Sequence, residues 1–567
     1  MRTLKERTFS GTTNPEVQPW ETEHRQVARE AAAEGIVLLK NKDQILPLKA
    51  GSAVAIYGAG AGRTIKGGTG SGDVNEREKV SIFQGMKNAG YEVTNEEWIE
   101  SYDGIYEKAR QDWKNDIVTR SGGNGGDVMN FFNTYSTTPF IMPTGDPIKK
   151  PAEGEKADTA IYVLSRVAGE GADRNAAAGD YYLKEDEHQM LADLCAYYKD
   201  VIVVVNAGGQ VDLSFMDEFE NIKALLVIVQ PGMEGGNAFA DVISGKVNPS
   251  GKLVDSWAYK YEDYPSAATF SHNNGNVQKE FYEEGIYVGY RYFDTFGIKP
   301  AYEFGYGLSY TTFDWSNMQT TWSGDECTVT VDVENTGDMA GKDVVEIYAQ
   351  SPYTEYDKAN GVEKASVQLV AYGKTSELAP GEKETVTCTF SKEQLKAYDE
   401  NGAETYIFDA GDYYITAAAN AHAAINNILA AKSEKPAQNA EFVSVYTPDN
   451  TDTDVTTYAT DSYSGVTITN QLQDCKADVT YLTRSDWEGT FPTHDGEPGT
   501  QISTWGNEIN RDDGVSYTYV KEASPELIAE LDSFSSGTDV DPATLADTQI
   551  VYGADNGLKL IDLRGRD

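Results

Sequence analysis

The stretch Ser165-Arg166-Val167-Ala168-Gly169-Glu170-Gly171-Ala172-Asp173-Arg174 gathers the groups of this 567-residue chain best suited to proton transfer. Glu170 stands between two glycines, so the backbone there can take angles closed to other residues and project the carboxyl outward. Arg166, Arg174 and Asp173 lie close enough in sequence to shift its pKa, in a direction the sequence alone leaves open. A carboxyl so placed suits general acid/base work. Asp173 and Asp180 are the next candidates for that role. A charged loop is ordinarily a solvated loop, and what favours chemistry here is its place just beyond an apolar run, AIYVLS.

A second candidate is the glycine cluster Gly58-Ala-Gly60-Ala-Gly62, followed by Gly67-Gly68-Thr69-Gly70-Ser71-Gly72. A strand feeding a glycine-rich turn is the grammar of dinucleotide binding, but position 63 is arginine and no helix opens directly behind it. A loop whose backbone approaches a ligand closely and a purely structural turn are the other readings. The histidines His24, His188, His272, His422 and His494 have no metal-ligand spacing. Cys195, Cys327, Cys388 and Cys475 are far apart, which argues against both a disulfide framework and a cysteine zinc site. No metal and no cofactor is expected.

These groups need elements to position them. Residues 20–48 read as one helix whose apolar face grows toward its end. AVAIYG (53–58), AIYVLS (160–165), VIVVVN (201–206) and ALLVIV (224–229) are apolar throughout, the pattern of strands buried on both faces. YLKEDEHQMLADLCAYYK and GGNAFADVISG read as crossover helices between them, which predicts an α/β/α sandwich on a mostly parallel sheet over residues 25–312. In such sheets ligands bind outside the carboxyl ends of strands, where the Glu170 loop falls. From residue 313 the pattern shortens to alternating strands, TVTVDVENTG, VVEIYAQS, ETVTCTF and YYITAAA, with turns between them. That predicts a fibronectin type III-like β-sandwich over 313–430. Residues 1–24 form a lead-in, and 431–567 read as a linker, with 445–470 rich in Thr, Asp, Ser and Tyr, followed by an unfinished tail.

Length gives a prior of three to four domains at about 150 residues each. Lys and Arg total 47 against 90 Asp and Glu, a formal charge of −43. That excess repels a phosphate backbone and anionic membrane, so neither nucleic acid nor a membrane is expected as partner. At 40% hydrophobic and 11% aromatic residues the chain is globular. MRTLKERTFSG is followed by no apolar stretch, so no secretory signal is read there, and a cytoplasmic location is the expectation.

Several ordered motifs resemble glycoside hydrolase family 3: EAAAEGIVLLKNKDQILPLK, KGGTGSGDVNER, SRVAGEGADR followed by GDYYL, QPGMEGGNAFADVISGKVNPSGKL, VGYRYFD and PAYEFGYGLSYTTF. The resemblance covers roughly residues 25–430. It implies a β-glucosidase-type hydrolase that cleaves terminal β-D-glucosidic bonds with retention, and it carries the family's general acid/base onto Glu170. Its substrate would be a β-glucoside or oligosaccharide. The substrate-binding residues stay unassigned, because the 35 tyrosines and 8 tryptophans are as easily core or surface.

The family's nucleophile is an aspartate in an S-D-W or T-D-W context inside a TIM-type barrel. Ser485-Asp486-Trp487 matches those letters but lies beyond the sandwich, without barrel strands around it. A barrel needs about 250 residues, and fewer than that follow residue 430. Asp486 is therefore read as structural or surface. Some members of the family carry the barrel last, and LKLIDLRGRD resembles the lead-in to it. The resemblance thus implies a chain of inverted domain order that supplies the acid/base while a barrel domain or polypeptide supplies the nucleophile. The alternatives are a non-catalytic carbohydrate-binding or scaffolding fragment and a nucleotide-binding α/β protein.

Overall fold

In the computed structural model the described residues are 16–70, 74, 76–123, 127–136, 138–151, 157–168, 173–272, 282–433, 439–470 and 480–485, with 525 and 529. They open with α1 (Pro19–Gly35), which has proline at its first position and Glu21 in its first turn. The helix expected over 20–48 ends there. Its apolar end is instead β1 (Val37–Asn41), antiparallel to β6 (Ile222–Val227). The reason is a glycine followed by consecutive apolar residues: Val37, Leu38 and Leu39 are all buried, which a strand between two layers satisfies and a one-faced helix does not.

β2 (Ala53–Tyr57), β3 (Glu92–Val93), β4 (Thr159–Arg166) and β5 (Asp200–Ala207) complete the sheet, in the order β1-β6-β5-β4-β2-β3. All neighbours except β1–β6 are parallel. Side chains of β4 alternate between two cores. Ile161 and Val163 pack with α2 (Ile82–Asn88) and α6 (Gly235–Ile243), whereas Tyr162 and Leu164 pack with α5 (Glu185–Tyr197). The mostly parallel α/β/α layering read from the continuous apolar runs is therefore present. α3 (Glu96–Arg120) and α4 (Val128–Ser136) lie in the excursion between β3 and β4. Strand order reverses between β2 and β4, so the switch point of the sheet lies at their carboxyl ends.

A short helix, α7 (Tyr290–Phe296), precedes the β-sandwich. Its sheets are β10-β9-β14-β15 and β11-β8-β7, built from β7 (Phe313–Ser323), β8 (Glu326–Asn335), β9 (Val344–Gln350), β10 (Gln368–Lys374), β11 (Lys383–Ser391), β14 (Tyr413–Ala418) and β15 (Val443–Tyr446). Cys327, Val329, Val331 and Val333 point inward at alternate positions of β8. α8 (Glu355–Asn360), the hairpin β12 (Ala397–Asp399)–β13 (Thr405–Ile407) and α9 (Ala421–Lys432) decorate it. The stretch read as a linker contributes to the sandwich: β15 pairs with β14, the Tyr446 ring lies 4.2 Å from Trp322, and Asp454 bridges to Phe408. Low apolar content misled there, because backbone hydrogen bonds and a few aromatic contacts, Tyr446 on Trp322 and Tyr413, and Tyr458 on Phe408, do the anchoring. Glu34 of α1 pairs with Lys342 and Lys374 of the sandwich, joining the two domains. No helix among the described residues is long and apolar enough to cross a membrane.

Candidate active site

The carboxyl end of β4 is fixed by a buried ion pair. Arg166, the last residue of the strand, makes two 2.8 Å hydrogen bonds to Glu187 of α5, and both side chains are 4% exposed. It also donates to the carbonyls of Asp180 (2.7 Å) and Tyr182 (3.2 Å). A buried pair of this kind tolerates loss of neither partner, and here it pins the return of the loop that leaves β4. Arg166 is thus committed to the scaffold of the strand end.

Farther along that loop Arg174 donates to Asp180 Oδ1 (2.6 Å) and to the Gln210 carbonyl (2.7 Å). The Asn175 amide donates to the other Asp180 oxygen at 2.6 Å. Both oxygens of Asp180 are engaged in holding the loop, which suits a structural tie better than an acid. Asp173 lines a cavity. Gly169, Glu170, Gly171 and Ala172 lie outside the described residues, as does Asp486.

That cavity, of about 480 Å³, opens at the carboxyl ends of β4 and β5. Ala168, Asp173 and Arg174 form one side and Gly208, Gly209 and Gln210 another. Tyr181, Tyr261, Tyr264 and Phe270 supply an aromatic wall. Tyr181 and Tyr261 meet edge-on at 5.2 Å, and Tyr261 and Tyr264 at 6.2 Å. Burial pushes the Tyr264 phenol up to about 12 and raises Tyr181 and Tyr261 as well, so the wall is uncharged at physiological pH. Gln210 is held by its bond to the Ser256 carbonyl (2.9 Å). Apolar ring faces beside a few fixed polar groups make a site for a small polyhydroxylated or aromatic ligand. The wall was not singled out in the sequence, although KYEDYPSAATF carries three of its four rings close together.

The glycine cluster has a different role from the ligand-facing one considered above. Gly58 has φ +92°, and a Cβ there would lie 2.4 Å from the Val163 carbonyl oxygen of β4. At Gly60 it would lie 2.1 Å from Ser165 Oγ. These glycines let the chain after β2 lie flat on β4. Its amides are engaged internally: Gly60 on Val163 O, Ala61 on Gly58 O, Ile65 on Asn206 Oδ1. None of these three is left to cradle a phosphate, which counts against the dinucleotide reading over Gly58–Ile65; Ser71 and Gly72 lie outside the described residues. The second half of the loop reaches the chain leaving β4, where the Thr69 amide donates to Ala168 O at 3.1 Å. Asn206 of β5, fully buried, gathers the region: it binds the Ile65 amide and carbonyl, the Val229 carbonyl and Ser165 Oγ. Among the described residues no three His, Cys, Asp or Glu side chains come together as a metal site.

Residues 36–290 match the glycosyl hydrolase family 3 C-terminal domain, and residues 343–421 a fibronectin type III-like domain. β-Glucosidase A of Butyrivibrio fibrisolvens is 33% identical over 443 residues, 69% of this chain and 49% of that protein. A β-glucosidase of Ruminococcus albus is 34% identical, over 71% of this chain and 40% of its own length. Among solved structures, β-glucosidase 3B of Thermotoga neapolitana in complex with glucose superposes with a TM-score of 0.59 at 33% identity, covering 76% of this chain and 55% of that one. A β-glucosidase of Paenibacillus barengoltzii gives 0.61 at 31% identity, covering 75% and 43%. The chain therefore spans about half the length of the relatives it matches. With an α/β/α domain and a fibronectin type III-like sandwich matched in the same order, the chain belongs to glycoside hydrolase family 3.

Proposed function

We propose that this chain supplies the acid/base half of a retaining β-glucosidase, with Glu170 as the group that moves the proton. The carrying observation is the cavity beyond β4 and β5, one side of which is formed by Ala168 and Asp173, the residues that flank the segment bearing Glu170. The β-glucosidases it resembles supply the reaction class. In the first step the Glu170 carboxyl protonates the glycosidic oxygen as the C–O bond breaks. A carboxylate about 5–5.5 Å away attacks the anomeric carbon and forms a glycosyl ester. In the second step Glu170, now ionised, takes a proton from water as the water displaces that ester. The nucleophile comes from a barrel outside these 567 residues, and the Tyr181–Tyr261–Tyr264 wall receives the leaving group.

The test is Glu170→Gln assayed with the barrel polypeptide added. Hydrolysis of an alkyl glucoside should fall about 10²–10⁴-fold. A dinitrophenyl glucoside should lose much less, because its leaving group needs little protonation. Equal losses, or none, would remove Glu170 from the role. Turnover by the purified chain alone would overturn the assignment of the nucleophile to another polypeptide. A second reading, carbohydrate binding without turnover, is favoured by the aromatic wall itself, and binding without hydrolysis in the complemented mixture would support it.

A further inference from the structure

A second and larger hollow, of about 670 Å³, runs between the α/β domain and the sandwich. It shares no lining residue with the cavity beside the Glu170 loop, yet the two lie on opposite sides of one segment: Glu284 and Val288 face the first, Gly285, Ile286 and Arg291 the second. Its sandwich side is the β12–β13 hairpin. Tyr398 and Tyr406 are cross-strand partners there, their rings 5.3 Å apart and edge-on, and the Tyr398 hydroxyl donates to the Glu404 carbonyl at 3.3 Å. Lys396 lies over the Tyr406 ring at 4.3 Å.

The remaining wall is Tyr481, 43% exposed, held by the segment that follows it. Leu482 is buried among Tyr287, Tyr292 and Phe293, and its amide donates to Glu283 O at 2.8 Å. Glu363 accepts from Tyr287 and Thr483 hydroxyls and from the Arg484 amide. The groove is thus a built feature assembled from three parts of the chain.

Its chemistry selects a neutral ligand. Lys364 is matched by Asp357 and Asp409 and Lys396 by Glu393 at 2.8 Å, and Glu363 and Glu400 line the groove together with Arg291, so no excess of positive charge draws an anion. Gln368 and Asn401 line the walls, their side-chain amides held by the Gln394 carbonyl (3.2 Å) and the Asn360 carbonyl (2.9 Å). Arg291 lines the groove as well, and its Nε–H is buried with no hydrogen-bond partner among the described residues. Pyranose rings offer apolar C–H faces to tyrosines and hydroxyl edges to amides and guanidinium groups.

We infer that this groove is a second carbohydrate site, taking a neutral oligosaccharide of pyranose units, separate from the site of hydrolysis. The use of β-linked probes rests on the β-glucosidase reading; the groove itself does not. The experiment is calorimetric titration of the full 567-residue chain carrying Glu170→Gln with cellotetraose and with xylotetraose. Saturable binding of at least one is expected. Tyr398→Ala and Tyr481→Ala should each weaken it up to about tenfold, Tyr398→Trp should restore it, and Tyr261→Ala in the other cavity should leave it unchanged. A readout free of substitutions at the groove is hydrogen exchange with and without sugar, expected to slow over residues 397–407. Absence of saturable binding by both sugars overturns the inference. So does binding that Tyr261→Ala removes while Tyr398→Ala and Tyr481→Ala leave it intact. The hydrolytic reading fails separately, through undiminished hydrolysis by Glu170→Gln in the complemented assay.

Discussion

At the scale of single residues, buried polar groups decide what the cavity can be. Asn206 is 0% exposed and satisfies the amide and carbonyl of Ile65 at 2.6 and 2.9 Å and the Val229 carbonyl at 2.7 Å. Asn206→Ala strands these groups out of reach of water, so we expect a loss of about 2–4 kcal/mol in stability, read from urea unfolding. A loss under about 1 kcal/mol would show that water replaces the side chain freely. Glu170 is the leading candidate in the sequence from its glycine neighbours, its place after a strand and the family resemblance, and it lies outside the described residues. The partners of Arg166 and Arg174 were not legible there, where both were read only as charges near Glu170. In the fold one is committed to Glu187 and the other to Asp180 and Gln210.

At the scale of elements, the loop after β2 shows why a glycine count does not reveal what the glycines are for. Gly58→Ala combines φ +92° with a Cβ 2.4 Å from a backbone oxygen of β4, and should cost more than about 2 kcal/mol. Gly90, at φ +85° with nothing within 4 Å of a Cβ, provides the contrast: Gly90→Ala should cost only about 1–2 kcal/mol, from the left-handed backbone alone. Comparable losses in thermal unfolding would mean that the contact with β4 relaxes. The parallel strands were legible because burial on both faces writes continuous apolar runs into the chain. The boundary at Gly35 was not, because an apolar helix end and an apolar edge strand look alike over five residues. The strand choice is made by β6, which is remote in sequence and pairs Val37 with Val227.

At the scale of the whole molecule, the junction of the two domains carries a titratable group. Glu346 of β9 is 6% exposed, packed under Gly305 from the α/β side. It accepts a 2.5 Å hydrogen bond from the Tyr348 hydroxyl. Burial raises its pKa from 4.5 to about 7, with Lys252 opposing the shift. The folded chain therefore holds a proton between about pH 4.5 and 7 that the unfolded chain releases. The stability tied to that proton is present below the unfolded pKa and is lost as pH rises through 7. Glu346→Gln, which keeps an acceptor for Tyr348, should stabilise the protein at pH 8 by on the order of 3 kcal/mol and change little near pH 4. Equal effects at both pH values in thermal unfolding would show that the carboxyl does not titrate with folding.

The order of these domains and the class of each were determined by the sequence itself, because strand and helix periodicities are local and survive without knowledge of any partner. The proposal of Glu170 as the acid also starts from the sequence, from one loop of ten residues and the resemblance it carries. Only the tertiary structure decided that Gly58 and Gly60 serve packing, that Arg166 is a scaffold, and that Tyr181, Tyr261 and Tyr264 share one wall. It also decided that Tyr481 closes a groove begun by Tyr398. Each of these depends on groups dozens of residues apart meeting at the ends of crossover connections, and local patterning carries no record of which distant surface a side chain will face.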